Sequence, residues 1–511
     1  MGLRSVFIVW ISVLSGLLCS AQKGDGLQFF IGPESDEKRN QSLWEVFGHH
    51  QDYFLTLRSF NRKKGQFIIE KIDTDSLKTM ASVVFKPQEM SGRYPVLTYP
   101  MTTKNASFLI ATAEDPKGTD VYIMAYPISE GLKIPTEPIV LGIANREALL
   151  SENGFLIFKS KDEDKVALFV PEETEPQKNE KFTLRYFDAN LSLLDARKVE
   201  IPYRADEVLL HDAVLSSNGD FHGIISLKSE SEVRSLPDSY ALISYSPEED
   251  QVKEKALALG SKWFYELDLT MTPDTNLWLS GYYSNMVEPS MAGTFSVVIN
   301  SQNGELLQTG LSPFDRDFRL IFRNYNRNSE DALGLFKLDD SALSKDGLIS
   351  LISEKRYERQ STIFNPATGV YSTVQINYNE EILISTIKPN SQIVANVIIP
   401  KYQSYSRSSG RYASYVFKQW NDQLIFFYNE HIRNAALSPN DYGEYRFLNN
   451  ENNMTISFCV VGKDKVVKGS IAPERIDNYY LNAEHSYSGN DFEILTAYKG
   501  YKTRYIKVTS P

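Results

Sequence analysis

The chain has 511 residues, 42% of them hydrophobic, with 54 Lys and Arg against 65 Asp and Glu and a formal charge of −11 at pH 7. An acidic balance of this size excludes attachment to nucleic acid or anionic lipid by bulk electrostatic attraction. With 29 Tyr, 28 Phe and many β-branched residues, but no Ala-rich or heptad stretches, the composition suits half-buried pleated surfaces, and the class is all-β.

The N-terminus reads MGLRSVFIVWISVLSGLLCSAQ, with one positive charge at Arg4, an apolar run from Val6 to Leu18 and small residues after it. This predicts a secretory signal peptide over residues 1–21, cleaved after Ala21. A lipid-modified Cys19 is the competing reading, which the bulky Leu18 before it opposes. No later segment approaches the ~18 apolar residues of a spanning helix, so no transmembrane segment is expected in the mature chain. Processing leaves Cys459 as the one cysteine, so a large core must replace disulfides in an oxidising compartment.

Through the mature chain one pattern returns: a polar turn, then an apolar or alternating strand, as in LSSNGDFHGIISLK (215–228) and SKDGLISLISEK (344–355). Aligned on the first strong apolar residue after the turn, it starts at Phe54, Phe108, Phe155, Phe221, Leu277, Leu348, Leu424 and Phe492. Turn residues such as Asn-Gly and Asp-Gly supply the positive φ of tight hairpins. A second hairpin follows in nearly every unit, as in QFIIEKIDTDSLKTMASVVFKP (66–87) and TFSVVINSQNGELLQTGLSPF (294–314). Two hairpins make four strands, and so small a unit buries its apolar faces only against a neighbouring copy.

Radial stacking of such units predicts a single β-propeller over residues 22–511, with eight four-stranded blades, or seven if the turn at Gly48-His49-His50 opens no blade. The last unit lacks an outermost strand, and LQFFIG (27–32) is predicted to fill that slot and close the ring. Two packed β-sandwiches would also show short regular strands. The fixed alternation of two hairpin types and the absence of a linker favour one ring.

Between Pro313 and Lys337 the pattern breaks. Arg316, Arg319, Arg323 and Arg327 recur at three and four residues, which places them on one face of a helical insertion near 315–330. The face suits solvent or an anionic partner.

Several segments in the second half resemble a family of exported propeller-like proteins of Bacteroidota-type Gram-negative bacteria. They are LSGYYSN (279–285), GTFSVVI (293–299), DGLISLISEKRYE (346–358), IIPKYQSY (398–405), GRYASY (410–415) and LIFFYNEHIRN (424–434), and the chain ends near a similar GxKxRY-like piece at Gly500–Tyr505. The resemblance spans roughly Ala205 to Val508. It implies a propeller fold and an exported location, periplasmic or at the outer surface, and brings no activity or cofactor.

Local catalytic signatures are missing. GxSxG is absent, and Cys459 in MTISFCVV reads as a buried inert thiol. None of the six histidines has HExxH spacing, and Asp73/Asp75 lacks the rest of a calcium loop, so no metal or cofactor is assigned. Two constellations remain as candidate binding residues. Counting eight or nine residues back from the aligned starts reaches Glu147, Asp212, Asp340 and Glu484, carboxylates expected near the start of channel-lining strands, where they could meet a cation or a basic peptide. The run YQSYSRSSGRYASY offers Tyr402, Tyr405, Arg407, Arg411 and Tyr412 on an expected rim loop, residue types that anchor interfaces or stack on sugars. The expectation is a non-enzymatic exported scaffold, monomeric by itself, that binds an envelope protein or a glycan. The alternative is a carbohydrate-active hydrolase or lyase.

Overall fold

The computed structural model describes residues 23–510 apart from 25, 37–40, 49, 51, 62–64, 91, 150–153, 228–235, 238, 288, 326–331, 366–369, 407–409, 442–443, 451–452, 464, 472–478 and 490. The signal segment with Cys19, and also His49, Arg327 and Arg407, lie outside the described residues.

The recurrent turn explains the recurrent strand. In LSSNGDF the Ser216 amide donates to Asp220 O at 2.9 Å and the Gly219 amide to Ser216 O at 2.9 Å, while Gly219 takes a φ of 97°. The turns at Thr272–Asn276 and Ser344–Leu348 repeat these bonds, with Thr275 and Gly347 at φ 65° and 71°. Each turn therefore joins an inner strand to a second one antiparallel to it.

Eight antiparallel sheets result, and in seven of them the strands run in sequence order from inner to outer. The inner strands are Leu43–Phe47, Val96–Thr102, Leu156–Lys159, Val208–Leu215, Trp263–Met271, Phe336–Leu343 and Tyr415–Trp420 in blades 1 to 7. In blade 8 two short pieces, Tyr480–Leu481 and Tyr487–Ser488, take that position. As expected, Leu27–Ile31 pairs antiparallel with Lys502–Thr509 in register Phe29↔Val508, so the N-terminal strand extends the last blade and closes the ring.

Second strands such as Leu277–Ser284 and third strands such as Met454–Val461 are buried at every position, because a neighbouring blade covers both of their faces. Outer strands such as Leu306–Pro313 are mostly exposed. The core accordingly divides among the seams between blades. One seam packs Ile224 and Tyr240 of blade 4 on Leu279 and Phe295 of blade 5. The closing seam packs Ile494 and Tyr505 of blade 8 on Phe54 and Ile72 of blade 1. Blades are thus joined by apolar packing, and separate sandwich domains are ruled out.

One unit is in a different register from the sequence alignment. Phe155 precedes the inner strand of blade 3, and the second strand of that blade is Lys165–Pro171, with Val166 at the aligned position. The Ser-Glu-Asn-Gly stretch before Phe155 has the turn's composition, but the inner hairpin of that blade turns at Ser160–Lys165, where Glu163 adopts φ 56°.

The insertion holds a helix, Arg316–Tyr325, and a 3₁₀ turn, Ala332–Leu335. Asp315 caps the helix by accepting the Phe318 amide at 2.7 Å. Phe314, Phe318 and Leu333 enter the seam between blades 5 and 6. Among the described residues no helix is long and apolar enough to cross a membrane.

Candidate functional site

Five inner strands carry a β-bulge: between Leu43/Glu45, Leu97/Tyr99, Leu210/Asp212, Phe264/Glu266 and Leu338/Asp340. A bulge bends its strand and re-aims side chains, here beside the central channel. Counted nine residues back from Phe54, Phe221, Leu277 and Ile349, the inner strands present Glu45, Asp212, Asp268 and Asp340. Sequence reasoning found Asp212 and Asp340 and missed Glu45 and Asp268, which lie nine back from the aligned Phe54 and Leu277; Asp340 lies eight back from the aligned Leu348 and nine back from the strand's first residue, Ile349.

Two of these carboxylates link successive blades. Asp212 Oδ1 accepts the Ala213 amide at 2.8 Å, and its Oδ2 accepts the Leu269 amide of blade 5 at 2.7 Å. Asp268 in turn accepts the Thr270 hydroxyl at 2.9 Å and the Ser341 hydroxyl of blade 6. Inner strands have one ladder edge with no neighbouring strand, and the carboxylates supply acceptors there. Burial, followed by the charge of Asp268, pushes Asp212 up to about 7. Burial, with Asp268 and Asp339 nearby, raises Asp340 to about 6. Burial and then Glu484 raise Glu45 to about 7. The group lies mid-strand, not at a strand start as expected.

Glu484 sits in the 3₁₀ turn Ala483–His485 between the two inner pieces of blade 8. Glu147 does not join the channel. It lies exposed on the short helix Arg146–Leu149, directly after the outer strand of blade 2, because its count began from the misplaced Phe155.

On the side where the inner hairpins turn, a cavity of about 640 Å³ opens among blades 3, 4 and 5. Its walls include Ile157, Val214, Leu269 and Met271, its cations are Lys159 and Lys161, and Asp220 is its one carboxylate.

The opposite side carries the largest departure from the repeat. In blade 6 the second and third strands run Ile349–Asn365 and Val370–Ile387, and pair as far as Asn365↔Val370. Ten residues on each strand stand beyond the blade, an arm of roughly 30 Å at ~3.4 Å per residue. Where blade becomes arm the ladder is interrupted between Glu354 and Arg356, and Lys355 meets Glu380 at 2.6 Å and Glu381 at 3.2 Å. Glu354, fully buried, receives Lys401 Nζ at 2.5 Å, Asn379 Nδ2 at 2.7 Å and the Arg356 guanidinium. Lys401 and Arg356 outweigh burial and hold the Glu354 carboxyl below its ordinary range. Arg356 also pairs with Asp339 at 2.7 Å, which accepts the Tyr415 hydroxyl at 2.8 Å.

The tyrosine-rich run forms the inner support of this arm, which corrects its expected place on a solvent-facing rim. Gln403–Ser406 adds a strand against Ile376–Asn379. Tyr402 is buried with its hydroxyl on Glu381 at 3.1 Å, and Tyr412 is buried with its hydroxyl on Ser404 O at 2.8 Å. Tyr405 is half-buried against Gly410, where a Cβ would lie 2.5 Å from its ring. The polar partners of Tyr402 and Tyr412 are buried glutamate and backbone, which alternating Tyr, Arg and Ser do not reveal. Arg411 is exposed beside His485, which burial, then Arg411 and Arg58, lower to about 4. In the inserted helix Arg316 is exposed, Arg319 donates to Ala292 O at 2.8 Å, and the Arg323 side chain lies outside the described residues. Arg319 is therefore tied to blade 5.

Cys459 is buried and its thiol is pushed up to about 12 by burial. Among the described residues no group of three His, Cys, Asp or Glu could hold a metal ion.

No family model and no curated protein matches the chain. Among solved structures, the β-propeller domain of the trilobed protease from Pyrococcus furiosus is 9% identical over 76% of this chain and 89% of that one, with a TM-score of 0.36. The WD40 domain of SCAP from fission yeast is 11% identical over 94% and 98%, with a TM-score of 0.35. Likenesses this distant carry no activity or partner to this chain.

Proposed function

We propose that this propeller is an exported binding scaffold that presents the blade 6 arm, with the neighbouring loop of blade 7, to an envelope protein or a surface ligand. The arm carries the reading. Ten residues on each strand project past the sheet, and those nearest its base, Arg356 and Asn379, hold the buried Glu354. A two-stranded hairpin is marginal in water by itself. Here the buried Lys401–Glu354 and Lys355–Glu380 pairs fix its base to a rigid disc. Rigid scaffolds that project ordered loops are suited to recognition, because the ordering cost of binding is already met. Export rests on the signal-like N-terminus.

The test is site-specific photo-crosslinking in cells. A photoreactive residue replacing Tyr371, which is 70% exposed near the arm tip, is expected to give a discrete adduct. The same residue replacing Leu194, 57% exposed on the outer strand of blade 3, is expected to give none. Equal labelling at both positions, or at neither, overturns the proposal.

A further inference from the structure

Among the described residues Arg58, Arg93, Arg146, Arg197, Arg204, Arg356 and Arg504 each pair with a carboxylate at 3.7 Å or closer, whereas Arg185, Arg316, Arg319 and Arg411 form no ion pair. At the foot of the arm three further arginines without one lie together. Among the described residues Arg359, Arg433 and Arg446 form no ion pair through their side chains, although the chain as a whole is acidic.

The three belong to one surface. Arg359 lies over the rings of Tyr357 and Tyr378, at 4.9 and 5.8 Å from their centroids. Tyr378 meets Phe447 edge-on at 6.0 Å, and Arg446 precedes Phe447 in the chain. Asn434 accepts the Arg446 amide at 2.9 Å and donates to Arg446 O at 2.8 Å, which fixes Arg446 beside the turn Ile432–Asn434 that contains Arg433. Both arginines bear on the same imidazole, since burial and then Arg446 and Arg433 lower His431. Between them Phe447 and Ile432 remain 41% and 45% exposed. Glu358, Glu430, Asp441 and Glu444 are the nearby acids in sequence; Glu358 is engaged by Gln375, Glu430 by Lys468, and Asp441 accepts the Ser438 amide.

We infer that this surface binds a carboxylate-rich polypeptide segment, an inference that rests on the scaffold reading and names its partner class. Cations without local partners, on a protein of opposite net charge, are complementary to an acidic ligand. Arg359 is already immobilised on two rings, so pairing it with a carboxylate forfeits little side-chain freedom. The aromatic geometry favours a polypeptide over an acidic glycan. Tyr357 and Tyr378 stack on each other at 4.7 Å and 7°, with Arg359 against them, so they offer no open pair of faces to a pyranose. The exposed Phe447 and Ile432 suit apolar side chains interspersed among the acids.

The experiment uses the purified mature chain, a fluorescein-labelled polyglutamate peptide and a labelled oligogalacturonate, with binding read by fluorescence anisotropy at low and high salt. The peptide is expected to bind in a salt-sensitive manner. The combined variant Arg359→Gln, Arg433→Gln and Arg446→Gln is expected to lose about tenfold or more in affinity, as removal of charge-assisted bonds implies. Arg316→Gln, on the exposed face of the inserted helix, is expected to change nothing. No peptide binding, equal binding by the combined variant, or binding of the oligogalacturonate alone each overturn the inference. A surviving Tyr371 adduct then leaves the scaffold reading intact and removes only the partner class, whereas loss of both removes the scaffold too.

Discussion

In blade 4 the described part of the second strand, Phe221–Leu227, has seven residues, whereas its counterpart in blade 6 runs 17 residues from Ile349 to Asn365. The seam between blades 4 and 5 is built from Ile224, Leu269, Leu279, Phe295 and similar apolar groups. The foot of the blade 6 arm instead buries Glu354, Lys355, Glu380, Glu381 and Lys401. Apolar packing is non-directional, so it holds blades in a stack without aiming anything. Charged groups with few permitted geometries can fix a direction, and they are concentrated where a projecting element has to be aimed.

The sharpest way to break this comparison is to remove one buried charge. Lys401→Met leaves Glu354 in the interior without its one fully buried cation, with only the Arg356 guanidinium remaining, and is expected to cost about 3 kcal/mol. The loss should appear as faster amide exchange over 356–379 and 403–406, with little change in blade 4. Uniformly faster exchange around the ring would mean that the charges support the disc, not the arm. The apolar counterpart is Leu279→Ala, fully buried in the seam of blades 4 and 5. It should cost about 2–5 kcal/mol in a denaturant titration, with amide protection at the arm base falling only as far as global stability does.

The regular region was legible from sequence because its determinants are local. Each Ser-x-x-Gly or Thr-x-x-Thr turn reports its own hairpin, and LQFFIG stood out as an unpaired apolar strand whose partner, Lys502–Thr509, lacked a neighbour. The one register error, at Phe155, arose because a connector shares the turn's composition. The arm was not legible. Its second strand, ISLISEKRYERQSTIFN, gives no sign that the blade ends near Glu354, since that depends on Glu380, Glu381 and Lys401, far along the chain. Lys and Glu read as solvated surface unless their partners are known. The buried tyrosines at 402 and 412 were hidden for the same reason.

A smaller effect tests the links around the channel. Asp212→Ala removes the acceptor for the Leu269 and Ala213 amides, and leaving buried donors unmet costs about 1–3 kcal/mol. The change should speed exchange at Leu269 more than at Val46, the corresponding inner-strand residue of blade 1. Equal acceleration at both would show that the carboxylate does not join blades 4 and 5.

The smallest expected effect concerns pH and separates the channel carboxylates from the paired charges of the arm. Asp340 accepts the Ser341 amide at 2.7 Å and faces Asp268 and Asp339, the latter paired with Arg356 and Tyr415. Its folded value of about 6 stands above the ordinary 3.8. Below about pH 4 the folded and unfolded chains both hold the proton, and the contribution of this group is complete. Between about 4 and 6 the unfolded chain releases its proton first, so stability is lost as pH rises through the folded value. Asp340→Asn keeps the oxygen that accepts the Ser341 amide and removes the charge. It should therefore stabilise the protein above pH 7, by no more than about 1 kcal/mol because solvent screens this exposed residue, while changing little at pH 4. Glu354 is shifted the opposite way, and its contribution is lost as pH falls. Thermal unfolding of the two forms across this range checks the sign: a variant less stable than the parent at high pH would mean that Asp340 acts as a paired charge, like those beneath the arm.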